Sequence, residues 1–148
     1  MEISIGGVLP ARILIVDDHD VVRRGIRSVI SADPELEIVG EAATGQDAVR
    51  KTDELRPDLI LLDISLPDIS GIEVAIRVRK LSIVTRILFL SQHDSVQVAN
   101  ESLKTGAGGF VAKADAAREL RQAIPIVLHG GKYLSERLTA GGPKAEQS

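Results

Sequence analysis

Short apolar runs alternate along this chain with longer segments in which apolar residues recur at helical spacing, and the alternation occurs five times. The apolar runs predict β-strands at about 12–17, 37–42, 59–63, 86–91 and 109–113. Strands that alternate with helices favour a mostly parallel sheet with helices on its faces. The expected fold class is therefore α/β.

Each strand is followed by a segment that predicts a helix. Apolar residues recur every three or four positions, as at Ile26 and Ile30, and mark the face that packs on the sheet. The fourth helix, expected at about 95–105, has a thin apolar face. The fifth, expected at about 115–129, contains Pro125, which removes one backbone hydrogen bond and predicts a kink.

Two of the helices begin with residues that can cap them. Thr44 with Asp47, and Ser70 with Glu73, fit the capping box, in which a side chain accepts a hydrogen bond from a backbone N–H that has no partner in the helix. Both pairs predict a helix start.

The length of 148 residues fits one domain, which we expect at 11–134, with an N-terminal extension at 1–10 and a linker or disordered tail at 135–148. No apolar run is long enough to span a membrane and no secretory signal is visible, so a cytoplasmic location is expected. The absence of cysteine excludes disulfides, thiolate metal sites and a cysteine nucleophile. With a net charge of -3 and no evident basic patch, nucleic acid is not expected to be a direct partner of this chain.

Polar residues that suit phosphoryl chemistry stand at the ends of four predicted strands. Asp17 and Asp18 end the first strand, Asp63 the third, Ser91 the fourth and Lys113 the fifth. Ligands of open parallel sheets bind outside the carboxyl ends of the strands, close to the point where strand order reverses. We therefore expect these side chains to converge at one edge of the sheet.

Three carboxylates at one place repel each other, and a hard divalent cation such as Mg²⁺ offsets that repulsion. The ammonium of Lys113 and the hydroxyl of Ser91 could balance the charge of an added phosphoryl group. Alone, the Asp17–Asp18 pair is more often a turn or a helix cap. Asp63 is harder to explain structurally, because it closes an apolar run and a carboxylate at the edge of a core needs a partner.

Three motifs together carry a family resemblance. They are Ile-Leu-Ile-Val-Asp-Asp-His at 13–19, Leu-Leu-Asp-Ile-Ser-Leu-Pro-Asp-Ile-Ser-Gly at 61–71 and Gly-Ala-Gly-Gly-Phe-Val-Ala-Lys at 106–113. Over roughly 11–134 the chain resembles the receiver domains of two-component response regulators. The resemblance implies a flavodoxin-like, doubly wound, five-stranded parallel sheet of order 2-1-3-4-5 flanked by five helices.

The resemblance also implies the site and its chemistry. Asp63 would accept a phosphoryl group from a sensor histidine kinase, and Mg²⁺ or Mn²⁺ would be bound by Asp17, Asp18, Asp63 and the backbone carbonyl of Ser65. Ser91 and Lys113 would assist the transfer. A receiver catalyses its own phosphorylation and dephosphorylation and has no separate substrate to turn over, so it is not expected to be an enzyme in the ordinary sense.

The family's switch pair is matched by Ser91 and Phe110, whose side chains would move together on phosphorylation. Phe110 can equally be read as a core residue. A histidine beside acidic residues could be a metal ligand or a proton carrier, but His19 heads a helix and His93 follows a strand in a loop, and we interpret both as solvated. We also hypothesise that His93 and Ser65 flank the phosphoryl group and influence how fast water removes it.

Finer similarity, at 17–25 and in Gly-Gly-Lys-Tyr-Leu-Ser at 130–135, points to the NarL/FixJ-type subgroup. Its members usually continue into a LuxR-type helix-turn-helix domain, which regulates transcription and which this sequence lacks. The chain is either a receiver from a longer DNA-binding regulator, which we favour, or a stand-alone regulator. DNA would then be contacted only through an output domain, and a homodimer formed on phosphorylation is a further candidate partner.

Two other classes of protein compete with this interpretation. A phosphatase of the haloacid-dehalogenase type would use Asp63 as a nucleophile, but that family has a second Asp two residues later, where this chain has Ser65. A flavodoxin-like cofactor binder lacks support, because no glycine-rich phosphate loop follows the first strand and aromatic residues are only 2%.

Overall fold

A computed structural model describes residues 9–81, 84–92 and 95–139. Strands and helices alternate through the domain, as the apolar pattern predicts. In chain order they are β1 (Ala11–Val16), α1 (Asp20–Ser31), β2 (Leu36–Ala42), α2 (Gly45–Leu55), β3 (Leu59–Asp63), α3 (Gly71–Leu81), β4 (Arg86–Ser91), α4 (Val96–Leu103), β5 (Gly109–Ala112), a 3-10 helix (Lys113–Asp115), α5 (Ala116–Leu128) and β6 (Tyr133–Leu134).

All strands of the sheet are parallel and lie in the order β2-β1-β3-β4-β5-β6. The predicted α/β class and the order 2-1-3-4-5 are confirmed. The expected count of five strands is corrected to six, because the two residues of β6 pair with Gly109 and Phe110 of β5. The resemblance did not predict this short strand, which protects the outer edge of β5.

The core lies on both faces of the sheet. Successive residues of β1 point to opposite faces, so Leu14 packs in the core under α2, α3 and α4, whereas Ile15 packs in the core under α1 and α5. Every residue of β3 is buried. A strand covered on both faces needs such a continuous apolar run. The charged end of β3, Asp63, is therefore carried to the boundary of two cores.

Helix α5 runs from Ala116 to Leu128 through Pro125. Pro125 is exposed, and its carbonyl accepts a hydrogen bond from the backbone N–H of His129 at 3.1 Å. A proline in a helix leaves the carbonyl four residues before it without its helix hydrogen bond. On an exposed face this is tolerated, because water can bond to that carbonyl. The kink that the sequence predicts at this residue stays a prediction.

Both predicted helix starts are confirmed, with the first bond of each capping box formed, whereas the carboxylates of Asp47 and Glu73 pair with Arg50 and Arg77. The backbone N–H of Asp47 donates to Thr44 Oγ1 at 3.1 Å, and that of Glu73 donates to Ser70 Oγ at 3.1 Å. Helix α4 is shorter than expected, at Val96–Leu103. In the described part of the chain, no helix combines the length and the apolar character that crossing a bilayer requires.

Packing continues beyond the predicted domain end at residue 134. The backbone N–H of Ser135 donates to the Phe110 carbonyl at 2.9 Å, and Leu138 is buried in the same core as Phe110. We call residues 135–139 the C-terminal clamp. The clamp lies against β5 and α5, although the sequence places the start of a linker or tail at residue 135; the predicted domain boundaries themselves stay predictions.

Candidate functional site

The carboxyl ends of neighbouring strands bring the predicted polar residues to one edge of the sheet. Asp63 and Ser91 are the last residues of β3 and β4, Asp17 directly follows β1, and Lys113 directly follows β5. Strand order reverses between β1 and β3, and ligands of open α/β sheets bind at such a point.

Asp17, Asp18 and Asp63 form what we call the acid pocket. Asp17 and Asp63 are buried, with 0% and 1% of their surface exposed, and Asp18 lies beside them with a partly exposed side chain. The Lys113 ammonium reaches into the pocket, 2.6 Å from Asp17 Oδ2 and 3.1 Å from Asp63 Oδ2. One cation therefore serves two buried carboxylates.

Lys113 leaves these carboxylates incompletely satisfied. Among the described residues, the buried oxygens Asp17 Oδ2 and Asp63 Oδ2 share the Lys113 ammonium, at 2.6 and 3.1 Å, and accept no other hydrogen bond. Buried charge is costly without full compensation. One ammonium faces two buried carboxylates, so the pocket keeps a net negative charge that a cation could neutralise.

The same imbalance shows in the titration of Asp63. Burial raises the pKa of this carboxyl above its ordinary value, and the neighbouring Asp17 charge raises the pKa further. The Lys113 charge and the Ser65 backbone N–H, which donates to Asp63 Oδ1 at 3.1 Å, oppose the rise in the pKa. Burial and repulsion prevail over the available partners.

The donor atoms of the pocket fit a divalent cation. One ligand atom from each of Asp17, Asp18, His19 and Asp63 lies within 4.8 Å of the others. Carboxylate oxygens are the ligands that Mg²⁺ and Mn²⁺ prefer. The two buried oxygens that share the one Lys113 ammonium are an independent reason to expect a cation here.

The predicted switch residues lie on neighbouring strands. Ser91 pairs in register with Ala112, two residues beyond Phe110 on β5. Ser91 and Phe110 are both buried, with 1% and 0% of their surface exposed. Because the Phe110 ring already belongs to the core, a switch at this pair would rearrange packing inside the core.

The loop between β3 and α3 brings a residue to which the sequence assigned no role. Both carboxylate oxygens of Asp68 accept hydrogen bonds from the start of α2, from Gly45 N–H at 2.7 Å and from Gln46 N–H at 2.8 Å. These bonds lower the pKa of Asp68 to about 2. An acid that caps a helix distant in sequence leaves no local signal. Asp68 therefore ties the loop beyond Asp63 to the neighbouring helix.

Close packing fixes the other end of this loop. Gly71 donates its backbone N–H to the Ile64 carbonyl at 2.8 Å, and a Cβ atom at position 71 would lie 2.2 Å from the Asp63 carbonyl oxygen. Only glycine permits this approach. The backbone of Asp63 is thus held directly against the start of α3.

His19, before α1, and Arg23, within α1, contact the acid pocket in ways to which the sequence gave no role. His19 is half exposed, as a solvated residue would be, yet its Nδ1 lies 3.1 Å from Asp17 Oδ1 and 3.2 Å from Asp18 Oδ1. Arg23 donates from Nη1 to the Asp17 carbonyl at 2.5 Å and from Nε to Glu41 at 3.1 Å. The pocket is therefore braced by α1.

His93, for which the sequence suggested a role in the lifetime of the phosphoryl group, lies outside the described residues. That hypothesis stays a prediction.

Comparison with known proteins agrees with this geometry. Residues 13–125 match the family model of the response regulator receiver domain. The chain is 36% identical over 130 residues to the nitrate/nitrite response regulator protein NarL of Escherichia coli (strain K12), covering 88% of this chain and 60% of that protein. It is 34% identical over 128 residues to the transcriptional regulatory protein DegU of Brevibacillus brevis, covering 86% of this chain and 54% of that protein.

Solved structures show the same architecture. A LuxR-family two-component response regulator from Aurantimonas sp. SI85-9A1 superposes with a TM-score of 0.88 at 34% identity, over 94% of this chain and 99% of that one. The signal receiver domain of the putative response regulator NarL from Mycobacterium tuberculosis superposes with a TM-score of 0.78 at 32% identity, over 82% of this chain and 98% of that one.

The fold and the acid pocket define a receiver domain. The chain belongs to the response regulator receiver family, and its relatives are of the NarL and LuxR type. The chain spans 54% and 60% of the length of the curated relatives described above.

Proposed function

We propose that this chain is a phosphorylation-activated switch in which Asp63 accepts a phosphoryl group from a sensor histidine kinase. The observation that carries the proposal is the Asp63 carboxylate, which is buried beside Asp17 and whose Oδ2 has the shared Lys113 ammonium, at 3.1 Å, and no other hydrogen-bond donor among the described residues. An oxygen held in this way is poised to react, because few bonds must be broken before it attacks a phosphorus atom.

The residues around Asp63 would balance the charge of the transferred group. Lys113, 3.1 Å from Asp63 Oδ2, would neutralise a phosphoryl oxygen, and the Ser91 hydroxyl, at the end of the next strand, would donate to another. Asp17, Asp18, Asp63 and the backbone carbonyl of Ser65 would hold Mg²⁺ or Mn²⁺. The cation would neutralise charge that accumulates on the transferred phosphoryl group.

The chain itself would supply the chemistry of both phosphorylation and hydrolysis, with no further substrate. When Asp63 becomes an acyl phosphate, we propose that Ser91 turns toward the new group and that Phe110 moves with it. Because Phe110 shares its core with α4 and Leu138, such a move would change the surface around α4 and the C-terminal clamp.

In the longer regulators that the relatives represent, we propose that this change controls a DNA-binding output domain and so regulates transcription. Phosphorylation would also promote a homodimer. A cytoplasmic location belongs to the same proposal, because the kinase domain of a two-component system and its DNA target lie there.

The test is the intact mass of the protein after incubation with acetyl phosphate and Mg²⁺. The wild-type chain should gain one phosphoryl group, and Asp63→Asn should gain none, because an amide cannot form the acyl phosphate. Asp53→Asn, which changes an exposed aspartate of α2, is the matched control and should be phosphorylated normally. An unmodified wild-type chain, or an Asp63→Asn variant modified to the same extent, would contradict the proposal.

A further inference from the structure

The side chain of His19 lies at the open side of the acid pocket and is not used as a helix cap. His19 occupies the position before α1 where Ser, Thr, Asp or Asn commonly caps the helix, but its side chain makes no capping hydrogen bond. Its imidazole instead approaches the two neighbouring carboxylates, with Nδ1 3.1 Å from Asp17 Oδ1 and 3.2 Å from Asp18 Oδ1.

The backbone holds the ring in this place. The backbone N–H of His19 donates to the same oxygen, Asp17 Oδ1, at 2.8 Å. Asp17 in turn has its carbonyl held by Arg23 at 2.5 Å. These two bonds hold the short loop before α1, and with it the backbone that carries the imidazole, against the Asp17 carboxylate.

His19 Nδ1 and Asp17 Oδ1 lie at hydrogen-bond distance, and the same separation suits two ligands of one cation, in a group of four ligand atoms within 4.8 Å of one another. Two neighbouring ligands of an octahedral ion, each at about 2.1 Å from the metal, lie about 3 Å apart. The distances from His19 Nδ1 to the two carboxylate oxygens, 3.1 and 3.2 Å, match this separation. Independently, the buried oxygens of Asp17 and Asp63 share one ammonium and accept no other hydrogen bond among the described residues, which leaves net negative charge for a cation to neutralise.

From this geometry we infer that His19 is a metal ligand that sets the cation preference of the acid pocket toward ions that bind imidazole, such as Ni²⁺, Co²⁺ and Zn²⁺. A site made only of carboxylate, carbonyl and water oxygens suits Mg²⁺ and Mn²⁺, whereas a nitrogen ligand favours the later transition metals. The inference rests on the metal-binding part of the proposed function and adds to it the residue that selects the ion.

The chain offers a closely matched substitution. In His19→Asn the amide oxygen stands at the same number of bonds from the backbone as the Nδ1 atom of histidine, so a hard oxygen replaces the nitrogen. Asparagine is also a favourable residue at a helix N-cap, so the start of α1 should be preserved. Circular dichroism of the variant checks that the fold is retained.

The first measurement is the affinity for Ni²⁺ and for Mg²⁺ by isothermal titration calorimetry, with the full chain. The ratio of the Ni²⁺ affinity to the Mg²⁺ affinity should fall by at least about tenfold in His19→Asn, and Mg²⁺ affinity should be retained. The chain has three histidines, so His129→Asn is the matched control and should keep the wild-type ratio. An unchanged ratio in His19→Asn would overturn the inference.

The second measurement observes the ligand directly. Pulsed electron paramagnetic resonance of bound Mn²⁺ should show coupling to a nitrogen nucleus in the wild-type protein and in His129→Asn and His93→Asn, and should lose it in His19→Asn. Persistence of the coupling in His19→Asn, or its loss in His93→Asn, would show that His19 is not the ligand. Failure of the wild-type chain to bind any of these cations would overturn the metal site itself, whereas Mg²⁺ binding with no effect of His19 would leave the proposed function intact.

Discussion

Asp63 and Asp115 are both buried aspartates near the carboxyl end of the sheet, yet their surroundings shift the carboxyl pKa in opposite directions. Asp63 Oδ2 has only the Lys113 ammonium, which it shares with Asp17, and no other hydrogen-bond donor among the described residues. Asp115 has both of its oxygens bound by Arg137, at 2.7 and 3.1 Å. The pKa of Asp63 is raised by burial, whereas hydrogen bonds from Arg137 lower the pKa of Asp115.

Glu119 extends the second pattern. This buried glutamate of α5 accepts a hydrogen bond from Ser135 Oγ at 2.6 Å and another from the Glu136 backbone N–H at 2.9 Å. Ser135 Oγ in turn accepts one from the Ala112 N–H at 3.3 Å. The two buried acids that contact the C-terminal clamp, Asp115 and Glu119, therefore both accept hydrogen bonds from it.

Buried acids therefore have two different roles in this protein. Acids with complete sets of donors fasten the C-terminal clamp to α5 and to the 3-10 helix that begins at Lys113. Asp17 and Asp63, which share one ammonium, are incompletely compensated in the fold. A cation and a phosphoryl group bound there would therefore gain the compensation that the fold leaves out. Both groups of acids adjoin β5. A displacement of Lys113 or Phe110 would therefore directly affect the packing of the clamp.

The largest effect is expected from Lys113→Ala. Without the ammonium, Asp17 and Asp63 are buried together with no cation, so the free energy of unfolding in the absence of metal should fall by about 3 kcal/mol. Added Mg²⁺ should restore part of this loss. Urea denaturation with and without Mg²⁺ measures both effects, with Lys80→Ala, an exposed lysine of α3, as the control. A loss that Mg²⁺ leaves unchanged would mean that the acid pocket does not take up a cation.

Glu119→Ala should destabilise the protein by about 2 kcal/mol, because the Ser135 hydroxyl and the Glu136 N–H lose their acceptor inside the fold. Mg²⁺ should not repair this variant, in contrast to Lys113→Ala. Glu136→Ala, which removes a side chain that is 75% exposed, is the control for the same denaturation experiment. If Glu119→Ala were as stable as this control, the clamp would not be held by its buried acid.

The smallest and sharpest test makes one substitution at both sites. Asp63→Asn removes a charge that the fold does not fully compensate and should raise the free energy of unfolding, without metal, by on the order of 1 kcal/mol. Asp115→Asn should lower it, because a neutral amide replaces a carboxylate that binds Arg137 through both oxygens. A change of the same sign at both sites would remove the distinction between the two regions.

The pH dependence of stability follows from the same two pKa shifts. The folded-state pKa of Asp63 is raised, so its contribution to stability is fully present below the ordinary value of 3.8 and is lost as pH rises through the raised pKa. The folded-state pKa of Asp115 is lowered, so its contribution is present above 3.8 and is lost as pH falls. Differences between each variant and the wild type, measured by urea denaturation from about pH 3 to pH 7, should therefore run in opposite directions.

Much of the fold could be predicted because local chemistry signals it. The strands β1, β3 and β4 are nearly continuous apolar runs, and Thr44 and Ser70 mark helix starts through bonds to backbone three residues away. The strand β6 could not be predicted, because two residues have no periodicity. The role of Asp68 could not be predicted for a related reason, because its hydrogen-bond partners in α2 lie more than twenty positions away in sequence.

By itself the sequence determined which residues reach the functional edge of the sheet. Each of Asp17, Asp63, Ser91 and Lys113 ends or follows an apolar run, and parallel strands must present such ends together. Only the tertiary structure decided how well each charge is satisfied there. A hydrogen bond depends on distance and angle between groups far apart in the chain, and these distinguish the incompletely bound Asp63 from the fully bound Asp115 and bring His19 within reach of the acids.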